Sequence, residues 1–230
     1  MQWILLIVWS AAVLFCTHRT PHAQKLRFAI AAALAASMLT QLYLLNLDGM
    51  LSLETALPLH LCGLFGVLSI PMLWRAPDFL WEALCFLASP AAFCTLFFPA
   101  VIASSHPVLM KFAFSQLHVL ITLVPLFLWR TGKPLPADPK RTLLLGNGYL
   151  LFIALFNRAF HTNYLFLRAV PASTPLALFF SRGAAWYVCA LELLCMLVFT
   201  WLKPVFTAGN TSSYSRCSHC TAPCTSRGRG

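Results

Sequence analysis

The chain has 230 residues, 60% of them apolar and only 10% charged. A soluble domain has about 45–50% apolar and roughly 25% charged residues, so an ordinary water-soluble enzyme, a disordered chain and a nucleic-acid module are all excluded. The 16 Lys and Arg against 6 Asp and Glu give a net charge of +10, which in a membrane protein records orientation before it records a partner.

A hydrocarbon core of about 30 Å requires roughly 20 apolar residues in helical form. In chain order, seven stretches approach that length: Met1–Cys16, Phe28–Leu47, Ala56–Trp74, Phe79–Ala103, Val108–Trp129, Thr142–Phe160 and Ala184–Leu202. The first lacks the basic start and small-residue cleavage site of a secretion signal, and is read as a span. The expected fold is therefore all-α: a polytopic bundle of about seven transmembrane helices over residues 1–206. From Thr207 onward the chain turns to Ser, Thr, Gly, Cys and Arg, and 207–230 is expected to be a disordered tail.

The basic residues sort by side. Arg19, Lys25 and Arg27 follow the first span and Arg75 follows the third. Arg130, Lys133, Lys140 and Arg141 follow the fifth, and Lys203, Arg216, Arg227 and Arg229 follow the seventh. Twelve of the sixteen thus lie on one face, which puts the N-terminus outside and the C-terminus in the cytoplasm. A cell (inner) membrane address follows, with membrane lipids as partners and no nucleic acid. Six of the nine cysteines fall inside spans and three in the tail, so no disulfide framework is expected.

Ionisable groups inside a membrane are costly and mark candidate sites. In the fifth span Lys111, Ser115, His118 and Thr122 recur at helical spacing, forming one polar stripe with His118 near the midplane. The third span opens Leu57-Pro58-Leu59-His60-Leu61-Cys62. Pro58 suits a first helical turn, and His60 stands about one turn inside. His60 and Cys62 are two apart, so on a regular helix they point to opposite sides. Cys62, Gly66 and Ser69 form a row of small residues that suits close helix contact.

The sixth span ends in the polar run Asn157-Arg158-Ala159-Phe160-His161-Thr162-Asn163-Tyr164. The seventh carries Arg182, Trp186, Cys189 and Glu192 at helical spacing, with His118 the expected partner of Glu192. Most of these groups gather in the outer half, which suggests a polar cavity there. The candidate catalytic residues are His118, His60 and Cys62; the candidate substrate-binding residues are Arg158, Arg182, Glu192 and Asn163. Cys217, His219, Cys220 and Cys224 are too crowded for one zinc ion and lack the second spaced pair of a zinc ribbon. No metal or cofactor is expected, and no Walker loop, dinucleotide motif or nucleophile elbow appears.

The order of these motifs resembles the YwaF-like family of bacterial integral membrane proteins. It is carried by Leu57–Cys62, by Phe112, Phe114 and His118 after Pro99, by Asn163–Leu167 before Pro171, and by Trp186-Tyr187, over roughly Leu57 to Leu202. That family is more distantly similar to a eukaryotic TMEM-type acyltransferase of ether phospholipids. The resemblance implies a helical bundle with a nucleophile on one span and a His on a later one, carried here by His60 and His118. The acyltransferase pattern places Cys immediately before the first His, where this chain has Leu59. Three functions follow as expectations: an intramembrane lipid acyltransferase or esterase, a non-catalytic lipid or solute carrier, and a structural membrane subunit.

Overall fold

The computed structural model describes residues 1–17, 20–136, 139–170, 177 and 183–217. Those residues are helical throughout their regular structure, with no strand among them. The helices are α1 (Gln2–Cys16), α2 (Thr20–Leu47), the short α3 (Leu53–Ala56), α4 (Leu61–Met72), α5 (Asp78–Ala83), α6 (Ser89–Phe97), α7 (Pro107–Arg130), α8 (Lys140–Phe160) and α9 (Ala184–Cys217). A π-helical segment, Leu84–Ala88, joins α5 to α6 in one continuous rod. Among the described residues four helices are long and apolar enough to cross a membrane: Pro21–Leu47, Asp78–Phe97, Pro107–Arg130 and Lys140–Phe160. Gln2–Cys16, Leu61–Met72 and Ala185–Trp201 are shorter apolar helices.

The bundle is organised around α7. Of its most apolar stretch 61% is buried, against 11% for α8, so α7 is the axis and α8 a peripheral helix. Apolar residues on every side of a helix require partners on every side. Leu117, Leu120, Ile121, Val124 and Phe127 of α7 supply the main core, joined by Ile30 and Leu34 of α2, Phe65 and Met72 of α4, and Trp81 and Leu84. Gly66 of α4 is the close approach. A Cβ there would stand 2.9 Å from Leu117 Cδ1 and 3.1 Å from Met38 Sδ, so glycine lets α4 lie this near α2 and α7 without displacing either side chain.

One end of the bundle is basic. Arg130 Nε donates to Thr17 Oγ1 at 3.3 Å, and Lys133 Nζ donates to the Ala76 carbonyl at 2.9 Å and pairs with Asp78 at 2.7 Å. Trp81 Nε1 donates to the Pro134 carbonyl at 2.8 Å, which locks the loop after α7 onto α5. That loop begins with a left-handed Gly132 (φ 107°) and a Lys133 N–H to Leu128 carbonyl bond of 2.9 Å, a glycine-terminated helix end. At the opposite end Gln2 Nε2 donates to the Leu96 carbonyl at 3.1 Å, tying α1 to α6.

Several span boundaries differ from the hydropathy reading (α2 begins at Thr20, not Phe28), and two of the differences trace to proline. The third apolar stretch is not one helix from Ala56. Leu57 sits before Pro58 and is extended (φ −82°, ψ 135°), because the proline ring disfavours helical geometry in the residue before it. Helix α4 starts only at Leu61, with His60 as its extended N-terminal flank (φ −69°, ψ 143°), not one turn inside. The fourth stretch ends at Phe97 instead of Ala103, since Phe98 precedes Pro99 and leaves the helix at φ −126°, ψ 67°. Helix α9 continues beyond Thr207 to Cys217. Arg182 and residues 218–230 lie outside the described residues.

Candidate functional site

The polar end of the bundle is built on a helix break. In the stretch before α4 the His60 carbonyl accepts from the Leu64 amide and the Leu57 carbonyl from the Leu59 amide, both at 2.9 Å, which leaves the Leu59 carbonyl outside the helical ladder, and in a membrane such groups must be satisfied within the protein. Two phenols bind main-chain oxygens here. Tyr149 of α8 donates its hydroxyl to the Leu59 carbonyl at 2.7 Å. Tyr164 donates to the Leu53 carbonyl, with the Leu57 carbonyl 3.2 Å away. Tyr164 is fully buried. Burial, with the Glu54 carboxylate nearby, raises its phenol above the ordinary range and keeps it a neutral donor.

Tyr164 is itself held by Asn157, which is 1% exposed. Asn157 Nδ2 donates to the Tyr164 carbonyl at 2.8 Å, while its Oδ1 accepts from the Tyr164 amide at 2.9 Å and from Thr162 Oγ1 at 2.9 Å. The loop so clamped is tightly folded: His161 (φ 56°), Leu165 (φ 55°) and Phe166 (φ 55°) all adopt the left-handed region without being glycine. Such a conformation costs roughly 1–2 kcal/mol per L-residue and persists where surrounding contacts enforce it. Those contacts include Tyr187 of α9, whose hydroxyl donates to the Leu165 carbonyl at 3.1 Å.

His60 is placed against this loop. Its ring lies 5.0 Å from the Tyr164 ring and 5.2 Å from the Phe166 ring, centroid to centroid. Neither of its nitrogens has a hydrogen-bond partner among the described residues. His118 differs in each respect. It is 5% exposed, its Nδ1–H donates to the Phe114 carbonyl at 2.7 Å, and its ring packs 4.2 Å from that of Phe114. Of the stripe expected on α7, Ser115 and His118 are buried and Thr122 donates to the His118 carbonyl at 2.8 Å, while Lys111 is exposed.

The relative depth of the two histidines follows from cross-links between helices. Ser89 Oγ donates to the Thr122 carbonyl at 3.1 Å, and six residues further along the same rod Thr95 meets the Cys62 thiol. At 1.5 Å per residue His60 stands about one helical turn, ~6 Å, nearer the polar end than His118. The two rings have separate aromatic partners and are not brought into contact. Cys62 packs at the edge of the main core with Thr95 beside it, and the spacing rule for a regular helix does not apply to the pair because His60 is extended and precedes α4.

The substrate-binding candidates separate too. Glu192 does not pair with His118; its Oε2 accepts from Asn147 Nδ2 of α8 at 3.5 Å. The reason is lateral: α9 packs on the π segment, with Phe199 against Phe86, and not on α7. Asn163 is consumed by its own loop, accepting from the Arg168 and Ala169 amides at 2.9 and 3.1 Å and donating to the Ala169 carbonyl at 2.7 Å. Arg158 lines a cleft of about 570 Å³ with Ala154, Asn157, His161, Leu167 and Arg168. Tyr149 and the return of Arg168 beside Arg158 carry no sequence signal, because each depends on how α8 and its following loop fold back.

Among the described residues no group of three or more His, Cys, Asp or Glu side chains is arranged to hold a metal ion. No curated protein and no solved structure matches the chain. The family model described as the TMEM164 family matches residues 1–203, nearly the whole chain. With its apolar helices, this makes it a membrane protein, and the chain belongs to the TMEM164 family.

Proposed function

We propose that this chain is an intramembrane acyltransferase or esterase that works on an acylated membrane lipid, with His60 as its base. The observation that carries this reading is the His60 imidazole, packed against two aromatic rings of a clamped loop, with neither nitrogen hydrogen-bonded among the described residues. The resemblance to the YwaF-like proteins, and through them to a lipid acyltransferase, supports the same chemistry. About seven spans, an outer-leaflet site, a cytoplasmic basic end and a bacterial inner-membrane address complete the reading.

The chemistry needs one base and no cofactor. Neutral His60 takes the proton of a water or of a lipid hydroxyl as that oxygen attacks an ester carbonyl. When the tetrahedral intermediate collapses, the imidazolium returns the proton to the departing alkoxide. Water gives a free fatty acid and a lyso-lipid; a lipid hydroxyl gives acyl transfer. In this scheme Cys62 and His118 are packing residues, and Arg158 sits where a headgroup would arrive.

A second reading, a non-catalytic lipid carrier, is favoured by one observation. Cys62, the thiol nearest His60 in sequence, is buried against Thr95 at the edge of the main core. The two readings separate in a turnover assay with purified protein and a labelled diacyl phospholipid, read by mass spectrometry. The enzyme reading expects ester cleavage or transfer that falls about a hundredfold or more in His60→Ala and little in His118→Ala. Lipid bound without covalent change in the wild type overturns it in favour of the carrier.

A further inference from the structure

The cleft at the end of α8 carries more charge than the one arginine, Arg158, that the reading above employs. Arg158, His161 and Arg168 line it, and no carboxylate does. Both guanidinium groups are exposed, and neither makes a side-chain hydrogen bond or ion pair among the described residues. A cation in the last turn of a helix has an ordinary explanation, since it complements the negative end of the helix dipole, and Arg158 qualifies. Arg168 does not, because it lies eight residues beyond Phe160.

Arg168 is brought back deliberately. The left-handed His161 reverses the chain at the end of α8. Asn163 then binds the main chain of Arg168 and Ala169 through three hydrogen bonds, which fixes the return. The Asn157 carboxamide, also in the wall, is occupied by Tyr164 and Thr162 and serves as scaffold. Two planar five-donor groups, unpaired among the described residues, are therefore presented by the end of α8 and its fixed loop in a cleft that Ala154 and Leu167 also line.

We propose that this cleft binds the phosphodiester headgroup of an anionic membrane lipid that carries no amine, with Arg158 and Arg168 gripping the phosphate and His161 beside it. Paired guanidinium groups suit the non-bridging phosphate oxygens, which they contact by charge-assisted, two-point hydrogen bonds. The absence of a carboxylate decides against an ammonium-bearing headgroup. Glu54, the acid that Tyr164 senses, belongs to α3 and does not line the cleft. A volume of about 570 Å³ lies inside the usual range of small-molecule sites, roughly 300–1,000 Å³. The inference deepens the acyl-lipid reading and rests on it only for the ligand being a lipid.

The test uses the full chain in mixed micelles of equimolar phosphatidylglycerol and phosphatidylethanolamine, with retained lipid read by mass spectrometry. The wild type is expected to retain phosphatidylglycerol over phosphatidylethanolamine by about tenfold. Arg168→Gln, which breaks no internal bond, and the pair Arg158→Gln with Arg168→Gln are expected to bring the ratio progressively toward unity. Arg141→Gln at the basic end is expected to leave it unchanged. A wild-type ratio near unity, or an enrichment that survives the double substitution, overturns the assignment. Equilibrium dialysis with inorganic phosphate covers the free-anion case: phosphate binding without lipid preference overturns the lipid source, and lipid preference without phosphate binding supports it. Turnover is not read here, so failure of the His60 chemistry and failure of the headgroup site give different results.

Discussion

Asn157 holds Tyr164 by both ends of one carboxamide: Nδ2 donates to the Tyr164 carbonyl at 2.8 Å and Oδ1 accepts from the Tyr164 amide at 2.9 Å. This is the pairing one strand makes with another, supplied by a single side chain. It leaves the Tyr164 phenol free to reach across to Leu53, so the conformation of the loop after α8 and the break before α4 share one support.

Asn157→Ala is therefore expected to be among the more damaging substitutions in the chain. It strands a buried amide, a buried carbonyl and the Thr162 hydroxyl, at about 1–3 kcal/mol for each group left without water. Thermal unfolding in detergent reads this as a large fall in Tm. Asn157→Asp, which keeps Oδ1 but opposes a carboxylate to the Tyr164 carbonyl, is expected to fall as far. An unchanged Tm in both variants would show the clamp to be dispensable.

Ser69 predicts the opposite sign. Its hydroxyl is buried on α4 at 0% exposure and makes no hydrogen bond among the described residues. Ser69→Ala removes a polar atom that burial penalises and leaves almost the same volume, so Tm is expected to stay or rise, by the equivalent of about 1 kcal/mol at most. A marked destabilisation would reveal a partner for the hydroxyl.

Gly66 offers a graded test of the contact among α2, α4 and α7. Both atoms that a Cβ would crowd, Leu117 Cδ1 and Met38 Sδ, are ends of flexible side chains. Gly66→Ala is expected to be accommodated by small shifts, while Gly66→Leu pushes the helices apart at about 1–3 kcal/mol. Equal unfolding temperatures for Gly66→Leu and wild type would mean that the helices are not in register as described.

Asp48 supplies the pH dependence. It ties the end of α2 to the loop before α7: Ser104 Oγ donates to Oδ2 at 2.6 Å, and Ser105 donates through its hydroxyl and its amide. These bonds to the charged form hold the carboxyl below its ordinary range. A depressed carboxyl stabilises the fold above its unfolded value, near pH 3.9, and that contribution is lost as pH falls through the folded value. The wild type is thus expected to lose Tm on acidification below about pH 4 more steeply than Asp48→Asn. Parallel profiles for the two proteins would remove Asp48 from the acid response.

Much of the bundle is legible in the sequence because a bilayer imposes length on apolar runs. Gln2–Cys16, Pro107–Arg130 and Lys140–Phe160 all fall within about two residues of the stretches read from hydropathy. Hydropathy does not register backbone geometry, and the misses follow from that. Pro58 reads as the first turn of a helix as readily as it reads as a break, and the extended Leu57 before it, with the Leu57 and Leu59 carbonyls met by Tyr164 and Tyr149, shows which it is. The π segment Leu84–Ala88 is as apolar as its neighbours. His161, Leu165 and Phe166 are left-handed without the glycine that announces such a turn.

The site was legible as a region and not as a set of pairs. The run from Asn157 to Tyr164 stands out by its polarity, and it does become the clamped loop. Which group meets which depends on lateral packing. Glu192 faces Asn147 because α9 lies on the π segment, a fact that no spacing along α9 encodes.

The two phenols that close the break before α4 bind oxygen atoms of the main chain, at residues 53, 57 and 59. Every amino acid carries that oxygen, so the side chains at those three positions are free to drift through evolution while the pairing survives. Tyr149 and Tyr164 have no such freedom. In a relative whose residues 53–60 share no letters with this chain, two hydroxyls at the matching positions would still mark the same architecture.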